Sequence, residues 1–236
     1  MLLILAASPL ETNLLRENIR NMQTLYRGSV QVFSGTLQGQ NILLSHGGVG
    51  QVNMAIQLTR LLNEYTPEAV LLCGCGGSYP DSGLLVGDLA LAETEIYGDL
   101  GVATADKFIP LDQLNLPQDP QLAPIIQQSI LLNPDLLKWA QEILLNVVCG
   151  AFVTVNRCSG YPDLGSELQQ RTDGICENME GAAAAQVCAE FKIPLLELRG
   201  ISNPTGTRDP QQWDIPRGTE VAQSGIMELL ENWPAG

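Results

Sequence analysis

Asn178-Met179-Glu180-Gly181-Ala182-Ala183-Ala184-Ala185-Gln186-Val187-Cys188, followed by Ile193-Pro194-Leu195-Leu196-Glu197-Leu198-Arg199-Gly200-Ile201-Ser202-Asn203, decides the fold class. The first stretch puts a carboxylate at the mouth of an Ala-rich helix. The second is an apolar strand that ends in polar side chains. A helix feeding a strand with a polar tip is the repeating unit of an α/β protein. Open α/β sheets bind ligands outside the carboxyl ends of their strands. A carboxylate and a carboxamide meeting there suit a small polyhydroxylated ligand carrying a heterocycle, such as a nucleoside.

Outward from that core, the same alternation recurs. Residues 1–7 read as a buried strand and Glu11 to Tyr26 as a helix. Val30 to Leu37 and Asn41 to Leu44 read as strands around a Gly39 turn. Ser45-His46-Gly47-Gly48-Val49-Gly50 is a glycine loop opening a helix from Gln51 to Asn63. Glu68 to Cys73 is a strand running into a second glycine loop, Gly74 to Ser78, and Gly87 to Tyr97 is a further strand. Residues 98–120 read as irregular, with a lid or an oligomer contact as possible uses. Ala123 to Leu132 and Pro134 to Asn146 read as helices, and Val147 to Val155 as a strand. The last helix carries Ala222, Ile226, Leu229, Leu230 and Trp233 at helical spacing. No repeat or linker divides the 236 residues, so a single α/β domain is expected.

Composition narrows the partners. Twelve Lys plus Arg against 26 Asp plus Glu give a net charge of -14, which argues against nucleic acid and anionic membrane. The first apolar run lacks a basic leader and is too short to span a bilayer, so a cytoplasmic location is expected. Six cysteines without a Cys-x-x-Cys pair, and one histidine, give no zinc set and no disulfide framework.

Each polar group has a plain structural reading. The glycine loops serve as tight turns or as amide nests for a ligand. Glu11 and Glu180 complement helix starts or face a ligand. Asn203 before Pro204 begins a turn or reads a base. Arg199 and Asp209 form a structural ion pair or belong to a site.

Taken together these pieces resemble the nucleoside phosphorylase and nucleosidase superfamily, in its order, and the resemblance implies a three-layer fold with a central mixed β-sheet flanked by helices. Glu11 follows the first strand. Ser45 to Asn53 is similar to the family's G-x-G-x-x-N-A turn, Gly74-Cys75-Gly76-Gly77-Ser78 to its G-[ST]-[AC]-G-G loop and Val86-Gly87-Asp88 to its V-G-D. Met179-Glu180-Gly181-Ala182 resembles the ribose-binding M-E-[AG]-A, and Arg199-Gly200-Ile201-Ser202 the R-x-I-S before the base-reading residue. Within the superfamily, the carboxyl-terminal third, through Arg208-Asp209 and Trp213-Asp214-Ile215, is most similar to the futalosine hydrolases.

The resemblance implies hydrolysis of futalosine to hypoxanthine and dehypoxanthine futalosine in the alternative menaquinone pathway. Methylthioadenosine or aminodeoxyfutalosine hydrolysis and purine nucleoside phosphorolysis are its alternatives, and a nucleoside-binding or storage protein is the non-enzymatic one. It assigns Glu11 and Asn203 to catalysis, and Met179 and Glu180 to the ribose. Asn203, Ser202 and Phe152 are assigned to the purine, with Tyr161 a second candidate for stacking. Gly47, Gly74, Cys75, Gly76 and Ser78 are the loop contacts. No metal or organic cofactor is implied; a homo-oligomer is. Adenine-releasing relatives carry Asp where this chain has Asn203, and Glu where it has Asn178. An amide offers an NH2 to a 6-oxo group and a carbonyl to a protonated N7, which favours hypoxanthine. Arg208 and Arg157 are candidates for the substrate carboxylate. The absence of arginine from both glycine loops favours water over phosphate.

Overall fold

Leu2–Ala6 forms β1, and its five side chains are all buried because they divide between two cores. Leu3 and Leu5 face one side with Val70 and Leu72; Leu2, Ile4 and Ala6 face the other with Leu71 and Cys73. A continuous apolar run is what a strand covered on both faces requires. The computed structural model describes residues 1–27, 30–114 and 128–234.

The strands that carry the fold are β2 (Arg20–Arg27), β3 (Val30–Leu37), β4 (Gln40–His46), β5 (Val70–Ser78) and β6 (Leu89–Tyr97). A small hairpin, β7 (Gly101–Ala103) and β8 (Phe108–Pro110), follows. Then come β9 (Ser129–Leu131), β10 (Val148–Thr154), β11 (Gly174–Asn178) and β12 (Leu195–Pro204). The main sheet runs β11-β10-β6-β12-β5-β1-β4-β3-β2, with β9 on β6. It is mixed: β1, β4, β5 and β12 pair in parallel, while β12 meets β6 antiparallel. β11 also pairs back onto β5, antiparallel, through Cys176 with Ser78 and Glu177 with Gly77. Five strands therefore close into a ring, β5-β12-β6-β10-β11.

Helices cover both faces. α2 (Gln51–Glu64) and α5 (Gly181–Phe191) pack on the first core. α1 (Asn13–Asn18), α3 (Pro134–Ile143) and α6 (Ile215–Glu231) cover the second. α4 (Pro162–Thr172) lies against β11. The expected α/β class and layered mixed sheet are thus present.

Three expectations are corrected. Glu11 to Tyr26 is not one helix. A 3-10 turn (Pro9–Thr12) and α1 end at Ile19, whose backbone is extended, and β2 follows on the free side of β3. The second glycine loop is not a loop: Gly74 to Ser78 continue β5, bonded on one side to β12. Ser129–Leu131, read as the end of a helix, is a strand on β6; residues 123–127 lie outside the described residues. α4 and β11 were not anticipated. Among the described residues no helix is long and apolar enough to cross a membrane.

Candidate active site

The carboxyl ends of β1, beside the ring, and of β5, β11 and β12 within it meet at one cleft of about 320 Å³. Its walls include Glu11, Cys75, Gly76, Gly77, Glu177, Asn178, Met179, Glu180, Arg199, Ser202, Asn203, Arg208 and Trp213.

Glu11 is buried on the 3-10 turn just after β1. Its Oε2 accepts from the backbone N–H of Ser8 at 2.8 Å and from Ser8 Oγ at 3.1 Å. Its Oε1 accepts from the N–H of Cys75 at 3.2 Å. Gly74 is required behind it: a Cβ there would lie 2.5 Å from Glu11 Oε1 and 2.7 Å from Arg199 Nη1. The second glycine stretch thus lets a carboxylate and a guanidinium approach a strand.

Glu180 opens α5. Its Oε1 accepts from the N–H of Gly50 at 2.9 Å, and its Oε2 lies 3.4 Å from Arg199 Nη1. The first glycine loop therefore contributes through Gly50, whose φ of +93° favours glycine, rather than through Gly47. Gly47 packs against Met54 and does not line the cleft.

Asn178 has a defined task. Its Oδ1 accepts from the N–H groups of Glu180 at 2.9 Å and Gly181 at 2.7 Å, and Thr154 Oγ1 accepts from Ala182 N at 2.8 Å. These first amides of α5 have no partner within the helix, so Asn178 and Thr154 cap it. Asn178→Ala is expected to cost about 1–2 kcal/mol of stability, read as a lowered midpoint in urea. An unchanged midpoint would refute the capping role.

Arg199 sits 1% exposed between carboxylates. Nε donates to Glu197 Oε1 at 2.9 Å, and Nη1 reaches Cys75 O at 3.3 Å as well as Glu180. Burial alone would lower its pKa, but Glu197, Glu180 and Glu11 outweigh that and raise it. The ion pair read between Arg199 and Asp209 is not formed: Asp209 instead caps the turn at Pro210–Gln212.

Asn203 ends β12. Ser202 Oγ lies 2.8 Å from Asn203 Oδ1, and Asn203 Nδ2 donates to Pro204 O at 2.9 Å. The carbonyl beside Nδ2 fixes which way the amide points. One N–H and one carbonyl lone pair are left for a ligand.

Several sequence candidates stand elsewhere. Phe152 is wholly buried in the first core and does not line the cleft, because its position on β10 points inward; the purine-stacking expectation is corrected. Tyr161 and Arg157 line a different cavity, with Lys107, Phe108 and Arg171. None of the described residues 98–114 lines the cleft, and residues 115–120 of the expected lid lie outside the described residues. Ser78 is buried in β5, where its carbonyl accepts from Thr205 N at 2.8 Å. Arg208 does line the cleft, stacked on Trp213 at 4.5 Å.

Glu177 was missed. It is buried at the cleft wall, accepting from Ser159 N at 2.9 Å, Ser159 Oγ at 2.5 Å and Tyr79 OH at 3.2 Å. Burial raises its pKa against those hydrogen bonds. Burial also pushes the Cys75 thiol up to about 11, so it is a neutral lining group.

The family model for the phosphorylase superfamily matches residues 2–231. A 5'-methylthioadenosine/S-adenosylhomocysteine nucleosidase of Tolumonas auensis is 32% identical over 212 residues, 89% of each chain. One of Halalkalibacterium halodurans is 28% identical over 89% of this chain and 88% of its own. In structure, the nucleosidase of Neisseria meningitidis in complex with methylthio-immucillin-A has a TM-score of 0.84 at 20% identity, covering 98% of both chains. The chain belongs to the phosphorylase superfamily.

Proposed function

We propose that this chain is a nucleosidase that hydrolyses the N-glycosidic bond of a 5'-substituted purine nucleoside of the methylthioadenosine, S-adenosylhomocysteine or aminodeoxyfutalosine kind. The observation that carries the reading is that Glu11, Glu180 and Asn203, from separate parts of the chain, line one cleft. Curated relatives 26–32% identical bearing the methylthioadenosine/S-adenosylhomocysteine nucleosidase name support it.

Bond cleavage builds positive charge on the sugar and negative charge on the departing base, and a site must stabilise both. Glu180 holds the ribose hydroxyls, with Met179 against the sugar. Glu11 orients the attacking water and takes its proton. The remaining N–H of Asn203 donates to N7 as charge develops there, and its lone pair accepts from a 6-amino group.

Water is favoured over phosphate. The arginine beside the second glycine stretch, Arg199, comes from β12 and is already engaged by Glu197 and Glu180. A phosphate brought to it would also meet Glu11 and Glu180, both buried at the same cleft.

A second reading, hydrolysis of futalosine, is favoured by two observations. Asn203 is an amide whose remaining N–H can donate to a 6-oxo group, and Arg208 lines the cleft as an exposed cation, stacked on Trp213, available to a substrate carboxylate. Free-base release from methylthioadenosine, aminodeoxyfutalosine, futalosine and inosine, with and without phosphate, separates the readings. Adenine release independent of phosphate supports the first, and hypoxanthine release from futalosine the second. A phosphate requirement overturns both, and no release favours a binding protein. Asn203→Asp is expected to raise the adenine-to-hypoxanthine rate ratio at least about tenfold, since a mismatched buried hydrogen bond costs about 1–3 kcal/mol. An unchanged ratio would remove Asn203 from base reading.

A further inference from the structure

Behind the cleft lie two carboxyl groups that none of the proposed steps uses. Glu95 on β6 and Glu197 on β12 are both 0% exposed. Glu95 Oε1 and Glu197 Oε2 both lie within 2.5 Å of the point where a Cβ on Gly181 would stand, so the two groups face each other there. Position 181 is glycine because these two groups occupy the space a side chain would take.

Glu95 accepts at both oxygens: Asn178 Nδ2 donates to Oε1 at 2.7 Å, and Thr154 Oγ1 to Oε2 at 2.7 Å. Glu197 accepts from Arg199 Nε at Oε1 and finds no donor for its buried Oε2 among the described residues. Two ionised carboxylates cannot stay in contact away from water. One proton between Glu197 Oε2 and Glu95 satisfies both groups and leaves the pair a single negative charge.

That charge is placed to matter. Arg199 lies between Glu197 and Glu180, so the pair takes a share of the guanidinium that would otherwise fall on Glu180. Through Asn178 the pair also holds the cap on which the backbone of Glu180 rests. We propose that Glu95 and Glu197 share one proton and act as a positioning pair that keeps Glu180 oriented for the ribose, a role that rests on the nucleosidase reading. Neither touches substrate.

The titratable and charged groups facing the pair are Arg199 on the same strand as Glu197, Glu180 and Cys188 on or at the start of α5, Tyr97 on β6 and Cys176 on β11. Burial raises the pKa of both carboxyl groups, first of all, and their mutual repulsion adds to this at Glu95. The sign follows: the native state keeps a proton that the unfolded chain releases above about pH 4.5, so the pair's contribution to stability falls as pH rises from there.

The test compares Glu197→Leu with Glu197→Gln. The leucine variant removes the shared proton and the contact to Arg199; KM is expected to rise at least tenfold, with kcat changing less. The glutamine variant keeps an oxygen for Arg199 and supplies a permanent N–H for Glu95, and it is expected to restore KM to within threefold of the parent. Its melting temperature should also lose part of the parent's decline between pH 5 and pH 8. If glutamine is as impaired as leucine, or neither variant alters KM, the positioning role is overturned. If the glutamine variant keeps the parent's full pH slope, no proton is shared, and that result stands even where the leucine variant does not fold. A parent chain that releases no base from any nucleoside removes the nucleosidase reading, while the pH slope still tests the shared proton.

Discussion

On the nucleosidase reading, Glu11→Gln is expected to lower the rate of base release by about 10²–10⁴-fold, the range spanned by a positioned general base, while the affinity for free purine changes little. The expectation follows from the carboxylate's surroundings. Four donors, two from Ser8 and two from Cys75, hold both oxygens in place. An amide of the same shape keeps the volume and one accepting oxygen but has no proton affinity to offer water. Its NH2 would also face one of those donors, so a modest drop in melting temperature should accompany the loss of rate. Steady-state kinetics with adenine or hypoxanthine titrations check the split. Turnover at the parent rate would remove Glu11 from the chemistry, and a parallel loss of purine affinity would make it a structural residue.

Arg199→Met produces the largest loss of stability. The guanidinium is the counter-charge for Glu180, Glu197 and, more distantly, Glu11, all of them buried. Breaking a buried pair from one side costs about 3–5 kcal/mol because the other charge is left behind. At about 2–4 °C per kcal/mol for a chain of this size, the melting temperature should fall by roughly 10 °C. The loss has a direction in pH. Without the cation Glu197, whose pKa Arg199 lowers against burial, holds its proton to higher pH, so the variant suffers less near pH 5 than near pH 8. Melting curves at both values test this; a variant within 2 °C of the parent at pH 8 would show that Arg199 does not balance the cluster.

The elements that were legible in the sequence are those whose apolar residues declare a period. β1, β5 and β12 read as continuous buried runs, and α2, α5 and α6 as helices, because burial on one or both faces fixes their composition. β2 did not, since Arg20, Asn21, Gln23 and Thr24 are exposed and its strand conformation comes from pairing with β3. β11 is five residues long, and its buried side chains include Glu177 and Asn178, which hydrophobic patterning counts as solvent-facing. Motif order, which survives where pattern is silent, singled out Glu11, Glu180, Ser202 and Asn203, and all four line the cleft. Glu95 and Glu197 could not be found that way, because a single Glu inside an apolar run names no partner. Folding makes them neighbours, where both face Gly181 at the start of α5. Phe152 illustrates the converse: residue type suggested a stacking ring, and strand alternation turned it into the core.

The bond between β11 and β5 has a consequence for how the molecule comes apart. A sheet closed on itself has no edge from which to unzip, and amides can exchange with solvent there only through openings that approach global unfolding. β2, paired on one side with β3, lies at the opposite end of the strand order. Hydrogen exchange should therefore report two tiers, with β2 labelling early and the backbones of β5, β11 and β12 last. The carboxylates and the amide at the cleft are mounted on or beside the slow tier, so the chain can fray at its far side while the arrangement around Glu11, Glu180 and Asn203 stays assembled.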